Sequence, residues 1–429
     1  MQPTAVSTTF RKVRFFKWLF IILCFSLSLH SCKDKYSETF TANVPIYMDT
    51  DEWRSLELNA QAPRLLSEPG KIYIYQDYLF IVEVGEGIHI VNNATPSSPQ
   101  NMAFLPVIGC TDVAVQNDVL YVDSYFDLLA FSISTPSNPE LQCRITDAFE
   151  MNRFPVLEGF DEAYPAANIN NREGIIVGWT QKEVSEESQA FESMWGMAND
   201  AEAAISPSNS VGIGGSMAQF AIALNHLYVL RSSSITSFNL EGELCPQTGS
   251  ETTVNRVAET IFPYNDHLFL GTTTGMLIYD LNSPGSPQFV SSVDHFTACD
   301  PVVVQDDRAY FTIRTGTECN GFLNQLHVVD VTDYSSPQTL AMYDMVNPHG
   351  LGIDGATLFV CDGSDGLKVY DAEDDMQIDN NMIEHYENID TYDVIPFNDI
   401  LIMTAEEGIY QYDYSDPENI IELSFMPAN

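Results

Sequence analysis

Positive charge is the scarcest property of this sequence. Its 429 residues contain 18 Lys and Arg against 60 Asp and Glu, which gives a formal net charge of −42 at pH 7. A chain this acidic repels a phosphate backbone, so we expect no nucleic-acid partner. The content of hydrophobic residues, 45%, is nevertheless that of a globular protein rather than of an acidic disordered chain. The composition therefore predicts a folded protein with an acidic surface.

Familiar catalytic and metal-binding motifs are also absent from the sequence. There is no G-x-S-x-G nucleophile elbow, no phosphate-binding P-loop and no H-E-x-x-H helix. The run Gly212-Ile213-Gly214-Gly215 is expected to open a strand, so it is not a dinucleotide fingerprint. The cysteines form no C-x-x-C pair, which argues against a zinc ribbon or a thioredoxin-like site. These absences favour a binding module over an enzyme.

The N-terminal region combines positive charge with a short apolar run. Residues 1–32 contain no Asp or Glu, and the run from Trp18 to Leu29 is apolar. Four basic residues precede that run: Arg11, Lys12, Arg14 and Lys17. This order is typical of a secretory signal, and the apolar run is too short for a bilayer-spanning helix. We therefore expect a signal peptide over residues 1–31.

The signal ends in Leu29-His30-Ser31-Cys32, which resembles the lipobox of bacterial lipoproteins, although His30 replaces the usual small residue. The resemblance implies cleavage before Cys32, acylation of this cysteine and a polar tether over residues 32–43. It places the protein in the cell envelope, on the periplasmic or the surface face of the outer membrane, with the membrane as a partner through the lipid. An ordinary signal peptide followed by an incidental cysteine is the alternative.

Self-similarity extends from about Lys71 to the C-terminus. A strand pattern recurs seven times, usually after another apolar strand and before a proline-bearing turn that blocks continuation of the ladder. The copies begin at Gly87, Asp127, Ser234, Gly275, Gln325, Gly366 and Gly408. Four strands in each unit of about 40 residues predict an all-β fold, a β-propeller of seven four-stranded blades. A β-solenoid is the alternative architecture.

The repeat resembles the LVIVD-repeat family of bacterial and archaeal surface proteins. That family is named for a strand like Leu326-His327-Val328-Val329-Asp330, and residues 44–48 resemble its N-terminal stretch. The resemblance covers residues 44–429 and implies a propeller on an exported lipoprotein of the Bacteroidetes type, without an agreed activity. We accordingly expect a lead-in over residues 44–70 and a propeller over residues 71–429.

The repeat spacing is interrupted once, between the second and third units. The extra residues, about 151–212, contain a strand-like piece from Gly174 to Trp179 and a short helical turn from Ala198 to Ala204. We interpret them as an elongated outer strand with a surface excursion, and a degenerate eighth blade is the alternative. Residues 44–60 are a candidate outer strand for the last blade.

One polar residue precedes the first turn of every unit by six positions. The first strand of a propeller blade lines the central channel, so these residues are expected to form a ring at one channel mouth. The ring comprises Lys71, Asp112, Gln219, Glu259, Asp300, His349 and Asp393. It is a candidate site for calcium or a small polar ligand, with Asp300 and Asp393 as the metal ligands. Capping of turns is the alternative role.

The alternative function is that of an enzyme whose active site lies at the same ring. In a hydrolase or lyase with a metal-assisted site at the channel mouth, His349 would be the general base and Asp300 or Asp393 its carboxylate partner. The preferred prediction is a lipid-anchored binding module for an unknown envelope protein or a small polar ligand, with no evident catalytic activity. No cofactor other than calcium is indicated.

Loops on the same face add further acidic side chains. They are Glu83, Glu86, Asp123, Asp127, Asp362, Asp365, Glu406 and Glu407. As a solvated surface they would maintain solubility, and as a docking face they would bind a cationic partner or calcium.

Six cysteines follow Cys32, and export permits disulfides. Cys299 and Cys319 are expected on one face of one unit, which makes them a candidate disulfide. The other four, Cys110, Cys143, Cys245 and Cys361, are expected to be buried thiols.

Overall fold

The chain folds almost entirely into short β-strands. The computed structural model describes residues 37–149, 160–161, 163–167, 169, 173–187, 213–231, 233–242, 245–294, 301–314 and 323–428. The first elements are β1 (Ser37–Met48) and α1 (Thr50–Arg54), and the interruption of the repeat contributes β10 (Ile175–Glu187) and β11 (Ile213–Gly214). Among the described residues, no helix has the length and apolar character needed to cross a bilayer.

Seven sheets correspond to the seven predicted units. Blade one contains β2 (Pro69–Tyr75), β3 (Tyr78–Glu83), β4 (Gly87–Asn92) and β5 (Gln100–Pro106), and blade two contains β6 (Val113–Gln116), β7 (Val119–Ser124), β8 (Asp127–Ser132) and β9 (Glu140–Ile145). Blade three contains β12 (Phe220–Ala223), β13 (His226–Arg231), β14 (Ser234–Asn239) and β15 (Gln247–Thr253). Blade four contains β16 (Ala258–Tyr264), β17 (His267–Thr272), β18 (Gly275–Asp280) and β19 (Gln288–Asp294).

The remaining blades follow in the same order. Blade five contains β20 (Val302–Gln305), β21 (Arg308–Ile313), β22 (Gln325–Asp330) and β23 (Gln338–Asp344). Blade six contains β24 (Leu351–Asp354), β25 (Thr357–Cys361), β26 (Leu367–Asp371), a 3-10 helix (Ile378–Asn380) and β27 (Met382–Tyr386). Blade seven contains β28 (Thr391–Phe397), β29 (Ile400–Ala405), β30 (Gly408–Asp413) and β31 (Ile421–Pro427). All strand pairs are antiparallel within each blade, and the seven-bladed propeller is confirmed.

Glycine recurs at the start of the third strand because the fourth strand lies too close for a side chain. Gly275 and Gly366 have φ values of 136° and 92°, in a region that favours glycine. A Cβ on Gly275 would overlap the carbonyl of Val293, and one on Gly366 would overlap the carbonyl of Tyr386. The repeated glycine therefore permits tight pairing of the two outer strands.

The polar residue that ends each third strand closes the turn that follows it. The side-chain oxygen of Asp330 accepts a hydrogen bond from the N–H of Thr332, 2.9 Å away. The same contact two residues onward is made by Asn92, Asn239, Asp280, Asp371 and Asp413. This Asx turn gives the final Asp of the repeat a structural role.

No strand is shared across the closure of the ring, because the four strands β2–β5 of blade one and the four strands β28–β31 of blade seven each come from one continuous stretch of chain. Gln411 of blade seven and Asn93 of blade one exchange two amide hydrogen bonds of 2.8 Å. The hydroxyl of Ser424 donates to the carbonyl of Pro96 at 2.6 Å, and Leu66 forms a parallel bridge with Ala428. Residues 44–60 do not supply an outer strand for blade seven, because β31 already occupies that position.

The interruption of the repeat forms a separate ribbon. β10 pairs along its length with β1, from Ser37 opposite Glu187 to Met48 opposite Ile175. The expectation of an elongated outer strand is wrong, since the outer strand of blade two ends at Ile145. In the described residues, the interruption adds this two-stranded sheet rather than an eighth four-stranded blade. The part of the expected tether from Ser37 onward belongs to β1, and residues 198–204 lie outside the described residues.

The lead-in is fixed to blade two by an aromatic and ionic cluster. Trp53 is 2% exposed and packs edge-on against Tyr125 and Phe126. Arg54 donates to the buried carboxylate of Asp127 at 2.8 Å and 3.0 Å. The end of the ribbon that adjoins α1 therefore lies against the face of blade two that carries the loop between its second and third strands.

The cysteines follow the prediction only in part. Cys110 and Cys361 are buried thiols, as expected. Cys143 and Cys245 are instead joined in a disulfide between β9 and the loop that precedes β15, with their Cα atoms 5.3 Å apart. The expectation of buried thiols is therefore wrong for this pair, because neighbouring blades bring residues 102 positions apart into contact. Cys299 and Cys319 lie outside the described residues.

Candidate functional site at the channel

A segment of the chain, residues 213–219, lies across the central channel, and we call it the channel segment. β11 pairs with β2 as the fifth strand of blade one, and the carbonyl of Ala218 accepts the N–H of Ile261 in blade four at 2.8 Å. Ser216 contacts blades six and seven. First strands surround the channel of a propeller, so a segment that contacts blades one, four, six and seven lies within it. Ser216 and Ala218 are each 1% exposed.

Lys71 and Asp112 of the predicted ring form a buried ion pair. The Lys71 ammonium donates to Oδ2 of Asp112 at 3.1 Å, and both side chains are 2% exposed. The same oxygen accepts the N–H groups of Gln219 and Phe220 at 2.8 Å and 2.9 Å. Burial raises the pKa of Asp112 and lowers that of Lys71, while the attraction between the two charges opposes both shifts. The pair therefore attaches the end of the channel segment to blades one and two.

Arg231 extends this network into blade three. Its guanidinium donates to Oδ2 of Asp123 at 3.0 Å and to the side-chain carbonyl of Gln219 at 3.3 Å. The other oxygen of Asp123 accepts the N–H groups of Thr111 and Asp112 at 2.7 Å and 2.9 Å. Gln219 of the ring is thus a structural contact at the entry to blade three.

Asp393 is held against the opposite side of the channel segment. Its Oδ1 accepts hydrogen bonds from the hydroxyl and the N–H of Ser216 at 2.9 Å and 3.3 Å. A Cβ on Gly215 or on Gly350 would overlap the carboxyl group, so both backbones lie in direct contact with it. Oδ2 is buried with no hydrogen-bond partner among the described residues. Burial raises the pKa of Asp393 to about 7, although hydrogen bonds from Ser216 and from the backbone of Val394, together with the Lys71 charge, act to lower it.

His349 lies on the same side but does not meet Asp393 through its ring. Its Nε2 accepts from the amide of Asn347 at 3.1 Å and faces the guanidinium of Arg314 at 3.5 Å. Burial and the charge of Arg314 lower the pKa of His349 to about 3. The imidazole is therefore neutral at physiological pH, and the described residues do not form the predicted pairing of His349 with Asp393.

The structure brings part of the predicted ring together. Glu259 is half-buried at a bulge in the first strand of blade four. Asp300 lies outside the described residues, so its pairing with His349 stays a prediction. Among the side chains that the structure describes, no group of three or more His, Cys, Asp or Glu is arranged to hold a metal ion. The calcium site that includes Asp300 likewise stays a prediction.

Several of the acidic loop residues are buried and stabilise the fold instead of forming part of the surface. Glu83, Asp123, Asp127 and Asp362 are at most 2% exposed, so the solvated and docking interpretations are wrong for them. Each accepts backbone N–H groups and pairs with a cationic or His side chain, as Asp362 does with Lys368 at 2.5 Å. The others are accessible: Glu86, Glu406 and Glu407 are exposed and Asp365 is half-buried.

Sequence reasoning missed the channel segment and its contacts. The one available signal was the small-residue run Gly214-Gly215-Ser216, since adjacent glycines indicate a close approach of backbone to another group. Arg231 had no such signal, because a single basic residue at a strand end does not reveal which blade supplies its carboxylate.

Comparisons with known proteins reveal the fold and nothing finer. No protein-family model matches the chain, and no curated protein matches it. A periplasmic gluconolactonase from Pseudomonas aeruginosa is similar in structure, with a TM-score of 0.51 and 9% identity over 84% of this chain and 98% of that chain. Sqt1 from Saccharomyces cerevisiae has a TM-score of 0.49 at 9% identity, over 87% of this chain and 89% of that chain.

BamB from Moraxella catarrhalis has a TM-score of 0.45 at 10% identity, over 85% of this chain and 90% of that chain. The gluconolactonase match supports the propeller fold alone, because identity this low carries no information about activity. The resemblance to the LVIVD-repeat family stays a prediction.

Proposed function

We propose that this protein is a lipid-anchored β-propeller of the bacterial cell envelope, related to the LVIVD-repeat family, that acts as a binding module for another envelope protein. The observation that carries the binding role is the channel segment. Its backbone and Ser216 already occupy the hydrogen-bonding groups of Asp112 and one oxygen of Asp393. A partner therefore binds on the outer surfaces and loops, outside the channel.

Two features support the envelope location. The sequence pattern before Cys32 is that of a lipoprotein signal. The disulfide between Cys143 and Cys245 is of a kind that persists in oxidising compartments outside the cytosol.

Ser37, the fifth residue after Cys32, begins a strand of 12 residues. Such a strand spans about 40 Å, which makes the ribbon a spacer between a lipid at Cys32 and the propeller.

The anchor is tested by comparing the full chain with its Cys32→Ser variant in a Gram-negative host. The proposal predicts that the wild-type chain fractionates with membranes and carries acyl chains by mass spectrometry, whereas the variant does neither. Equal membrane association, with processed masses that differ only by the Cys-to-Ser exchange, would contradict the anchor.

The binding role is tested separately, by crosslinking in intact cells that express wild-type protein or an Asp393→Asn, His349→Ala double variant. A partner on an outer surface is crosslinked equally by both proteins. If the double variant folds but no longer crosslinks the partner, the binding site lies at the channel mouth instead. In that case, thermal melts with EDTA and with added calcium would show whether a metal stabilises the folded state.

A further inference from the structure

The lead-in supplies a cation to an aromatic ring on the outer strand of blade one. Phe104 in β5 lies opposite the third residue of β4, and Glu86 immediately precedes β4. The guanidinium of Arg64 lies over the Phe104 ring, with its Cζ atom 3.6 Å from the ring centroid, and pairs with Glu86. Phe104 is accordingly 2% exposed. One Arg therefore covers both the ring and the carboxylate.

The lead-in reaches this position as an extended segment beside the outer edge of β5. Gln61 exchanges two backbone hydrogen bonds with Phe104, 2.7 Å and 3.1 Å long. The side-chain amide of Asn101 donates to the carbonyl of Arg64 at 2.7 Å. In such strand addition, main-chain pairing gives affinity and the delivered side chain gives specificity. Blade one thus shows how an extended, Arg-bearing segment binds to an outer strand of this propeller.

Blade seven carries the same ring and the same carboxylate without the cation. Phe425 in β31 lies opposite the third residue of β30, and Glu407 immediately precedes β30. None of the other five blades has a Phe at the equivalent position. Phe425 is 40% exposed, and the cation–π contacts of the described residues all lie elsewhere. The described part of the chain therefore leaves this ring accessible.

Three tyrosine rings extend the surface beside Phe425. Its ring stacks on Tyr410, with centroids 4.4 Å apart, and Tyr412 follows at 6.1 Å from Tyr410. Tyr386 of blade six contacts Tyr412 across the blade interface at 5.8 Å. Tyr412 is 3% exposed, yet its hydroxyl, which is not sealed from solvent, has no hydrogen-bond partner among the described residues. The interface of blades six and seven therefore combines ring faces with a hydrogen-bonding group that a ligand can use.

The carboxylates around these rings select the charge of a ligand. Glu407 and Glu422 are exposed, and within the described residues neither is in an ion pair. Glu422 lies opposite Tyr412 in the strand register, and both charges act on the phenol of Tyr410. A cation gains from the ring faces and from the carboxylates together. An apolar ligand would desolvate the carboxylates without compensation, and an anion would be repelled.

We propose that the outer strand of blade seven binds an extended, Arg-bearing segment of a partner protein, in the way that β5 binds the lead-in. The segment pairs with the outer edge of β31, and its guanidinium lies over Phe425 and reaches Glu407. Arg fits better than Lys because its planar guanidinium stacks on a ring and bonds a carboxylate bidentately. This inference rests on the proposed binding role and adds to it the surface and the chemistry of the partner.

Site-specific photocrosslinking in intact cells of the source organism tests the site. A photoreactive phenylalanine analogue is placed in the outer strand of blade seven at Leu423, or at the equivalent Leu340 of blade five as a control, and both leucines are half-buried. We expect position 423 to crosslink an Arg-containing peptide of another protein, and position 340 not to do so. A partner crosslinked only at position 340 leaves the binding role intact and overturns this site. A crosslink to a second copy of this chain, or to a peptide without Arg, also overturns it.

Variants at two adjacent exposed carboxylates identify the contact. Glu407→Gln removes the equivalent of Glu86, while Glu406→Gln is its matched control. We expect Glu407→Gln and Phe425→Leu each to lower the crosslink yield at position 423 by about tenfold, and Glu406→Gln to leave it unchanged. An unchanged yield in Glu407→Gln, or an equal loss in both Gln variants, overturns the assignment. If Phe425→Leu does not fold, the comparison of the two Gln variants still decides.

Discussion

Asp393 differs from the other buried carboxylates at the scale of single residues. Asp123 and Asp362 each combine backbone donors with a cationic partner. Asp393 has one unsatisfied oxygen, and burial raises its pKa from 3.8 to about 7. A raised pKa means that the folded protein disfavours the charged form. The contribution of Asp393 to stability is therefore largest at low pH, falls as pH rises from about 4 to about 7, and changes no further above that range.

The first prediction concerns the Asp393→Asn substitution. The variant removes a buried charge that is destabilising above pH 7, so we expect it to be more stable than wild type at pH 8, by at most about 4 kcal/mol. Below pH 4 the two proteins should be equally stable with respect to this group. Urea unfolding at both pH values measures the difference. A variant that is less stable than wild type at pH 8 would show that Asp393 is ionised and satisfied.

The second prediction compares two glycines that both have positive φ. A Cβ on Gly366 (φ 92°) would overlap the carbonyl of Tyr386, whereas a Cβ on Gly355 (φ 57°) would meet open space. We expect Gly355→Ala to cost about 1 kcal/mol for its backbone conformation alone. Gly366→Ala should cost about 3 kcal/mol or more, because the outer strands must separate. Denaturant unfolding measures both, and equal costs would rule out the close approach as the reason for glycine.

At the scale of elements, the sequence predicted what repeats and missed what occurs once. The third strand recurs in every unit and ends in Asp, Asn or Ser, so the seven blades could be recognised without any contact information. The channel segment occurs once, and its position depends on contacts with Asp112, Ile261 and Asp393, which lie far apart in the chain. The ring residues were therefore predicted to be free to bind a ligand. In the structure, Asp112 and Asp393 instead accept hydrogen bonds from the backbone of the channel segment.

The cysteines illustrate the same limit. Cys143 lies in the outer strand of blade two and Cys245 in a loop of blade three, and no spacing rule relates them. Only the arrangement of adjacent blades brings their Cα atoms to 5.3 Å.

The third prediction concerns this disulfide. It closes a loop of 102 residues, and cross-links of that length stabilise proteins by about 4 to 5 kcal/mol in the chain-entropy account. We expect a Cys143→Ser, Cys245→Ser double variant to lose much of that amount in urea unfolding under non-reducing conditions. Mass spectrometry without reductant should find Cys143 linked to Cys245, with Cys110 and Cys361 as thiols. A wild-type protein in which all cysteines are free would contradict the pairing and would also remove the predicted bond between Cys299 and Cys319.

At the scale of the whole molecule, the junction of blades seven and one joins the two ends of the propeller without a shared strand. Its amide pair is well formed, with Gln411 fully buried and bonded twice to Asn93. One apolar cluster also spans the two blades and includes Ile72 of blade one and Ile402 of blade seven. The closed ring therefore depends on side-chain packing at this junction.

The fourth prediction tests that dependence. Gln411→Leu leaves the amide of Asn93 without its partner at a non-covalent junction, and we expect a loss of about 1 to 3 kcal/mol in a single unfolding transition. Gln116→Leu removes one hydrogen bond, to Asn225, between blades two and three, which the Cys143–Cys245 disulfide also links. Its cost should be nearer to about 1 kcal/mol. If Gln411→Leu instead produces two separate transitions, blade seven unfolds independently and the ring is not one cooperative unit.

The absence of strand exchange at the closure has a consequence for how such a chain evolves. Each blade takes its four strands from one uninterrupted stretch of chain, and within the described residues the added fifth strand of blade one, β11, is the exception. Duplication or deletion of a single stretch of DNA that encodes one unit would therefore add or remove a complete blade. Lineages that carry this arrangement can vary the size of the ring in whole blades, with the final junction and the contacts of the channel segment left to adapt.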